Sequence, residues 1–295
     1  MTRFSDSLKS KRFLVTAELI PPKGTDLSPI FDKAEYLRDV VCAFNLTDSH
    51  RSMMSMSPLA VAHLLAGRGI ESILQITCRD RNKIALQSDL LAVHALGTSN
   101  ILCLTGDHPK SGDHPDAKAV FDMEAVALLR TIKSLESGMD LNGNPLSGTP
   151  EYCAGAVANP GAEDLGKELA RLEDKLDAGA KFFQTQAVYD PSTLERFMKV
   201  AEQYKVPILA GYIMLKSAKM AKDFDENLPG VSVPNWIIKH LDKAEDRGFA
   251  SVEIAGKVIN DIKDICSGVH IMAIGWEKRI PDVIQLAELP QQPYL

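Results

Sequence analysis

Short, mostly apolar runs alternate with amphipathic stretches about eight times along the chain. Runs of this kind are typical of parallel strands that are buried on both faces, because both rows of side chains then contact apolar neighbours. Between them, apolar residues recur at the helical period. The pattern predicts strands at 13–20, 43–47, 72–78, 100–105, 152–158, 181–188, 207–215 and 269–274.

The helical stretches carry stripes of leucine, and residues that commonly begin or end helices stand at their ends. One stripe, with spacings of four, three and four, consists of Leu165, Leu169, Leu172 and Leu176. Asp190 followed by Pro191 predicts an N-cap and a first helical position. Glycine commonly ends helices, so we expect helix ends at Gly97, Gly179, Gly248 and Gly268.

Eight strand–helix units in 295 residues match the size of a (β/α)8 barrel. A doubly wound open sheet is the alternative, but no Gly-x-Gly-x-x-Gly follows the first strand to support nucleotide binding of that kind. No shift in composition marks a linker. We therefore predict an α/β fold, a TIM barrel, as one domain over 1–295.

The composition gives no sign of a nucleic-acid or membrane partner. The chain has 33 Lys and Arg against 39 Asp and Glu, a formal charge of -6, and no basic run, so nucleic acid is not an expected partner. No window approaches 18 uninterrupted apolar residues, and no signal-type apolar core follows the charged N-terminus. We expect a cytoplasmic protein that does not enter a membrane.

Cysteine and histidine give no sign of a metal site. The five cysteines are an odd number without a Cys-x-x-Cys pair, which predicts reduced and mostly buried thiols. His108 and His114 each lie in an Asp-His-Pro triplet, but the prolines break the helical spacing of metal ligands. We predict no bound metal.

One carboxylate, Glu18, interrupts the apolar run at 13–20, which Pro21 and Pro22 then end. Burying an ionised carboxylate costs several kcal/mol unless it is paired or protonated. From this stretch alone, a structural ion pair and a functional acid are both open interpretations.

Polar residues also stand at the ends of the other predicted strands. In a barrel these ends meet on the face where active sites lie, so convergence there predicts a site. The residues are Glu18, Thr47, Asp48, Thr77, Asp107, Asn159, Gln184, Gln186, Lys216, Lys278 and Arg279. The charged segment 107–119 follows a strand and is expected to be an active-site loop, whereas segment 137–150 precedes a strand and is expected to serve as scaffold.

Seven segments in this order resemble the methylenetetrahydrofolate reductase family over nearly the whole chain. They are Thr-Ala-Glu-Leu-Ile-Pro-Pro at 16–22, Asn-Leu-Thr-Asp at 45–48, Ile-Thr-Cys-Arg-Asp at 76–80, Leu-Thr-Gly-Asp-His-Pro at 104–109, Leu-Glu-Asp-Lys-Leu-Asp-Ala-Gly-Ala at 172–180, Thr-Gln-Ala-Val-Tyr-Asp at 185–190, and segment 211–217. The resemblance implies a (β/α)8 barrel that carries FAD and reduces methylenetetrahydrofolate to methyltetrahydrofolate, or runs the reverse reaction.

The resemblance also implies roles for individual residues. Glu18 would be the general acid that protonates N10 and opens the five-membered ring of the folate. Asp107 would lie beside the flavin ring and the pterin and stabilise the cationic intermediate. The folate would contact Gln186 and Thr47, with Arg279 of the Lys278-Arg279 pair at its glutamate tail.

For the cofactor, the resemblance implies a face of the helix after the fifth strand that holds the ribose and phosphates of FAD. Electrons would come from NAD(P)H or from a partner redox subunit, and we expect a homo-oligomer. The cofactor residues would be Thr77, Asp107, Asn159, Glu168, Arg171 and Lys175.

The chain departs from the family pattern at four places, one of which is the lack of a matching aromatic residue near Ala218 after the seventh strand. Gln75 replaces a histidine near the flavin, and Thr105 and Asp174 stand where familiar bacterial members have arginine. The lack of these two arginines weakens the expected neutralisation of the flavin phosphates. The alternative functions are therefore a flavin-free, pterin-binding methyltransferase or demethylase component, and a folate-binding subunit of a redox complex.

Overall fold

A computed structural model describes residues 3–10 and 12–290, which form a closed barrel of eight parallel strands with surrounding helices. The predicted fold class is confirmed, and each of the eight predicted strands is present, with its ends within two residues of the expected positions. The strands are β1 (Leu14–Leu19), β2 (Ala43–Leu46), β3 (Ser72–Thr77), β4 (Asn100–Leu104), β5 (Cys153–Ala158), β6 (Phe182–Ala187), β7 (Ile208–Ile213) and β8 (Gly268–Met272).

Eleven α-helices lie in the described part of the chain. One precedes the barrel, a single helix follows most strands, and three occupy the connection between β7 and β8. The helices are α1 (Arg3–Ser7), α2 (Ser28–Leu37), α3 (Pro58–Ala66), α4 (Lys83–Ala95), α5 (Ala125–Glu136), α6 (Leu165–Asp177), α7 (Pro191–Ala201), α8 (Ala218–Asn227), α9 (Asn235–Lys243), α10 (Arg247–Ile262) and α11 (Ile280–Leu286). Among these helices, none combines the length and the apolar character needed to cross a membrane.

The expected helix ends are confirmed at two of the four glycines. Gly97 and Gly179 have φ angles of +83° and +109°, in the left-handed region that closes a helix. The expectation was wrong for Gly248, which lies in the first turn of α10, and for Gly268, which begins β8. Both are glycine for a packing reason: a Cβ would lie 2.3 Å from an Arg279 nitrogen at Gly248, and 2.4 Å from the Leu14 carbonyl oxygen at Gly268.

The lower part of the barrel interior is apolar and is closed by α1. Phe4 of α1 is fully buried and meets the ring of Phe182 edge to face, with 5.1 Å between ring centroids. Seven strands contribute one residue each to this cluster. They are Leu14, Ala43, Ile73, Leu102, Cys153, Phe182 and Leu209.

A polar layer lies next along the strands, because side chains alternate in direction and every second residue points inward. Asn45 and Gln184 exchange two side-chain hydrogen bonds of 2.7 and 3.1 Å. Thr16 Oγ1 lies 3.0 Å from His270 Nδ1, and burial lowers the pKa of His270 to about 3, which keeps this histidine neutral. The layer is therefore uncharged and internally satisfied. It forms the floor beneath the carboxyl ends of the strands.

Candidate active site

Glu18 is the next inward residue of β1 after Thr16, and only 8% of it is exposed. Its pKa is raised from 4.5 to about 7, chiefly because burial disfavours the charged form. A hydrogen bond from Gln75 lowers the pKa and the negative charge of Glu277 raises it, both as smaller effects. Glu18 can therefore hold a proton near neutral pH, as a general acid must.

Sequence reasoning missed the two neighbours that tune this carboxyl. Gln75 stood out only as the replacement of a histidine, yet its amide contacts Glu18 directly. Glu277 lies in the short 3₁₀ turn after β8, where its carboxylate accepts from the Gly275 amide at 3.0 Å and pairs with Lys33 at 3.1 Å. The available signal for Glu277 was its position beside the Lys278-Arg279 pair at a strand end.

The raised pKa of Glu18 makes stability depend on pH in a defined direction. A carboxyl with a folded pKa of about 7 and an ordinary value of 4.5 stabilises the fold below pH 4.5, and this contribution is lost as pH rises through 7. Glu18→Gln removes the dependence. Between pH 4 and pH 8, we expect urea unfolding to show that the free energy of unfolding of the variant rises relative to that of the wild type by up to about 3 kcal/mol. An unchanged difference across that range would contradict the buried, protonated state.

Thr47 carries an unsatisfied group at the same end of the barrel. It is 1% exposed, and its hydroxyl has no hydrogen-bond partner among the residues that the structure describes. An unpaired buried hydroxyl costs about 1–3 kcal/mol, so it favours a ligand or water that can bond to it. Thr47 follows Ala43 and Asn45 on the inward row of β2, the row that faces the barrel interior.

Thr77, by contrast, is engaged in supporting Asp48. The Asp48 carboxylate accepts from the Thr77 amide at 2.8 Å and from its hydroxyl at 2.9 Å, and it also pairs with Arg81. Asp48 is thus held as part of the scaffold between β2 and β3. The expected role of Thr77 in holding a cofactor has no direct support from these contacts.

Gln186 ends the inward row of β6, after Phe182 and Gln184, and it is exposed at the mouth of the barrel. The register between β6 and β7 shifts at this point. Thr185 spans the irregularity, because its hydroxyl donates to the Gln186 carbonyl at 2.7 Å and accepts from the Gly211 amide at 2.9 Å. The shift presents the Gln186 carboxamide at the open face.

Asp107 is also exposed, at the start of segment 107–119. This segment is docked on the loop after β2. Ser52 Oγ donates to the Asp107 carbonyl at 2.9 Å, and a Cβ on Gly112 would lie 1.9 Å from the Ser52 carbonyl oxygen. Asp113 accepts from the Met54 amide at 2.9 Å and pairs with Lys23 from the loop after β1.

The loop that receives this segment has a strained backbone. Ser49, Arg51 and Ser52 have φ angles of 51°, 52° and 58°, which are unfavourable for residues with a Cβ. Arg79, only 3% exposed, holds the turn by donating at 3.3 Å to the Ser49 carbonyl and to the Ser52 hydroxyl. Strain of this kind concentrates at functional sites. Arg79 belongs to the Ile-Thr-Cys-Arg-Asp segment at 76–80, but the sequence indicated no role of its own for it.

Replacing Asp113 by alanine is expected to loosen segment 107–119, because it removes the partner of both Lys23 and the Met54 amide. Trypsin should then cleave after Lys110 and Lys118 faster than in the wild type, which timed mass spectrometry of the fragments would measure. Asp116→Ala, an exposed change in the same segment, is the matched control. Equal cleavage of both variants would show that Asp113 does not hold the segment.

Arg279, expected at the folate tail, packs between two elements. Its guanidinium lies 5.6 Å from the ring centroid of Trp276 and against Gly248 at the start of α10. Lys216 approaches the same ring at 5.4 Å. Trp276 therefore gathers two cations at the mouth of the barrel, an arrangement that suits an anionic group. Sequence reasoning did not identify this tryptophan.

The expected cofactor face of α6 is occupied by contacts within the protein. Lys175 Nζ donates to the Val157 carbonyl at 2.6 Å, and Glu168 accepts from the Asn159 amide at 2.8 Å. Arg171 lies 4.0 Å from Glu168, with 71% of its side chain exposed. The structure brings Asn159, Glu168 and Lys175 together around the end of β5.

Metal ligands do not cluster in the part of the chain that the structure describes. No group of three or more His, Cys, Asp or Glu side chains is placed there to hold an ion. All five cysteines are free thiols, as predicted, and burial is the main cause that raises the pKa of each.

Comparison with known proteins adds a family match. The model of the methylenetetrahydrofolate reductase family matches residues 3–288. A probable methylenetetrahydrofolate reductase (NADPH) of Caenorhabditis elegans is 24% identical over 302 residues, covering 96% of this chain and 43% of that protein. A 5,10-methylenetetrahydrofolate reductase of Pectobacterium carotovorum is 25% identical over 201 residues, covering 68% of this chain and 62% of that protein. The alignments thus span less than two thirds of the length of these relatives.

One solved structure covers almost the whole fold. It is an uncharacterized protein from Clostridium thermocellum that binds two copies of 5-methyl-5,6,7,8-tetrahydrofolic acid. It has a TM-score of 0.63 and 18% identity, and the match covers 97% of this chain and 98% of that one. At this identity, the likeness shows a shared barrel fold.

Proposed function

This chain belongs to the methylenetetrahydrofolate reductase family, and on that premise we propose that it reduces 5,10-methylenetetrahydrofolate to 5-methyltetrahydrofolate. The observation that carries the proposal is Glu18, a buried carboxyl with a pKa of about 7 at the active-site end of the barrel. Further support comes from the Clostridium thermocellum protein, whose bound ligand is the product of this reaction.

In the proposed mechanism, Glu18 donates its proton to N10 of the folate as the bond between N10 and the methylene carbon breaks. The electron pair of that bond stays on N10, and the methylene carbon becomes part of an iminium with N5. Hydride addition to this carbon gives the N5 methyl group, and Glu18 regains a proton from solvent. Gln75 orients the carboxyl for this transfer, because its amide donates to it.

The polar groups around Glu18 suit a pterin. Thr47 offers an unpaired hydroxyl and Gln186 an exposed carboxamide, which can donate and accept at a heterocycle edge. Asp107 adds negative charge at the mouth, which favours a cationic intermediate. Trp276 with Lys216 and Arg279 forms a cationic rim suited to the carboxylates of the glutamate tail.

FAD, when bound, supplies a ring that accepts and passes on hydride. The residues expected to hold its ribose and phosphates do not fit that task, because the Lys175 ammonium donates to the Val157 carbonyl, the Glu168 carboxylate accepts from the Asn159 amide, and Arg171 lies 4.0 Å from Glu168. No step of the mechanism is therefore assigned to FAD. A reduced nicotinamide nucleotide, the donor in the name of the nematode relative, is the proposed electron source.

A rate that falls with rising pH is the test of this function. Because Glu18 must be protonated to act, kcat/KM for methylenetetrahydrofolate with NADH or NADPH should decline about tenfold per pH unit above about 7. Initial rates of 5-methyltetrahydrofolate formation, followed by chromatography across that range, give the profile. A rate that is flat or rises above pH 7 would contradict Glu18 as the acid.

A folate-binding subunit without turnover of its own is the second candidate, favoured by the engaged contacts on α6. It predicts binding of methyltetrahydrofolate by titration calorimetry and no product with NADH, NADPH or reduced flavin. Product formation by the isolated chain would exclude it.

A further inference from the structure

The loop after β5, which leads into the α6 face expected to hold the phosphates of FAD, is packed against the turn after α8. A Cβ on Gly161 would lie 1.9 Å from the Gly230 carbonyl oxygen, and a Cβ on Gly230 would lie 2.4 Å from the Asn159 carboxamide. Gly230 has a φ angle of +77°, so the turn after α8 depends on glycine to approach so closely. The two backbones are in direct contact.

Hydrogen bonds hold this contact together. Asn159 Nδ2 donates to the Pro229 carbonyl at 3.3 Å, and its Oδ1 accepts from the Gly161 amide at 3.2 Å. Both ends of the Asn159 carboxamide are therefore used within the protein. Separating this loop from the turn after α8 to admit a dinucleotide would break the bond from Asn159 to the Pro229 carbonyl.

The charge around the loop also opposes a pyrophosphate. The N-terminus of α6, where an anion could bind to free amides, is capped by Asp164, whose carboxylate accepts from the Lys167 amide at 3.0 Å. Glu163 and Asp174 add exposed negative charge on the same helix and its lead-in. The neighbouring Arg171 side chain is exposed, and its guanidinium lies 4.0 Å from the carboxylate of the buried Glu168. The exposed cations of this helix, Lys167 and Arg171, lie 3.5 and 4.0 Å from carboxylates of the same helix and its N-cap, so two phosphate charges would enter a region already rich in negative charge.

We infer that this chain does not retain FAD and that hydride passes directly from C4 of a reduced nicotinamide to the methylene carbon of the folate. The step balances: the dihydronicotinamide loses hydride and becomes the oxidised nucleotide, the carbon–N10 bond breaks, and N10 takes the proton of Glu18. The inference rests on the proposed function, since it specifies the donor for the same site.

The direct test follows an isotope from donor to product. The purified chain, without added flavin, is incubated in ordinary water with methylenetetrahydrofolate and NADH or NADPH deuterated on one or the other face of C4. Mass spectrometry of the 5-methyltetrahydrofolate is expected to show one deuterium in the methyl group for one of the two faces. The reciprocal reaction, in heavy water with unlabelled donor, should leave the methyl group free of deuterium.

Flavin binding is read separately. The protein as isolated should show no visible flavin absorbance, titrated FAD should pass through gel filtration unbound, and added FAD should not raise the rate. Loss of the donor's deuterium to solvent, or deuterium entering the methyl group from heavy water, would indicate an exchangeable flavin carrier and overturn the inference, as would FAD that copurifies with the chain. If no donor, with or without FAD, yields methyltetrahydrofolate, the proposed function itself fails, which is a distinct result.

Discussion

Glu18→Gln is expected to lower the rate of methylenetetrahydrofolate reduction by about 10²–10⁴-fold, the usual contribution of a positioned general acid. Glutamine has nearly the same shape and can still bond to Gln75, but its amide cannot give up a proton to N10 at neutral pH. The loss should fall on kcat, because opening of the folate ring needs that proton whereas folate binding does not.

Binding measurements provide the control for this variant. Titration calorimetry with 5-methyltetrahydrofolate should give a Kd close to that of the wild type, since the product carries no ring to open. The residual rate should also lose its decline above about pH 7, because the titrating group is gone. A variant that keeps the turnover and pH profile of the wild type would remove Glu18 from the chemistry.

Phe4→Ala is expected to reduce the free energy of unfolding by about 3–5 kcal/mol, the range for deleting a buried phenylalanine. Phe4 is fully buried and closes the lower end of the barrel, where it meets Phe182 edge to face. The cavity left behind would be lined by residues of seven strands, which are held by sheet hydrogen bonds and cannot collapse into it.

Urea unfolding followed by circular dichroism would measure this loss. Phe249→Ala on α10 is the matched control, because 54% of Phe249 is exposed and its truncation should change stability by less than about 0.5 kcal/mol. Similar effects for the two variants would show that α1 does not contribute to barrel stability. Such a result would also show that the packing of α1 on the apolar cluster of the strands does not stabilise the fold.

Much of the site could be predicted because its residues lie at strand ends. Glu18 was identifiable as a carboxylate in an apolar run, and Thr47 and Gln186 as polar ends of their own runs. The residues that tune or hold the site were not identifiable. Arg79, Gln75 and Glu277 act through partners that are distant in sequence, and the sequence around each of them does not indicate those partners.

The α6 face is a second case in which the sequence does not reveal which groups the side chains contact. The spacing of Glu168, Arg171 and Lys175 was compatible with binding phosphates, and it is equally compatible with the internal bonds that the structure contains. The approach of Gly230 to Gly161 helps to distinguish the two, and these residues lie on different loops. The spacing of residues in a helix specifies which side chains lie on the same side of it, but not which groups those side chains contact.

The sequence alone specifies the eight-fold alternation of strand and helix, since the periods of hydrophobic residues are local properties of a strand and a helix. It also determined that one carboxylate would be buried. Which polar groups pair inside the barrel depends on the folded chain as a whole, as with Asn45 and Gln184, which are 139 residues apart and form hydrogen bonds. The reason is that barrel closure sets the register between strands, and register decides which inward side chains meet and how far water is excluded from Glu18.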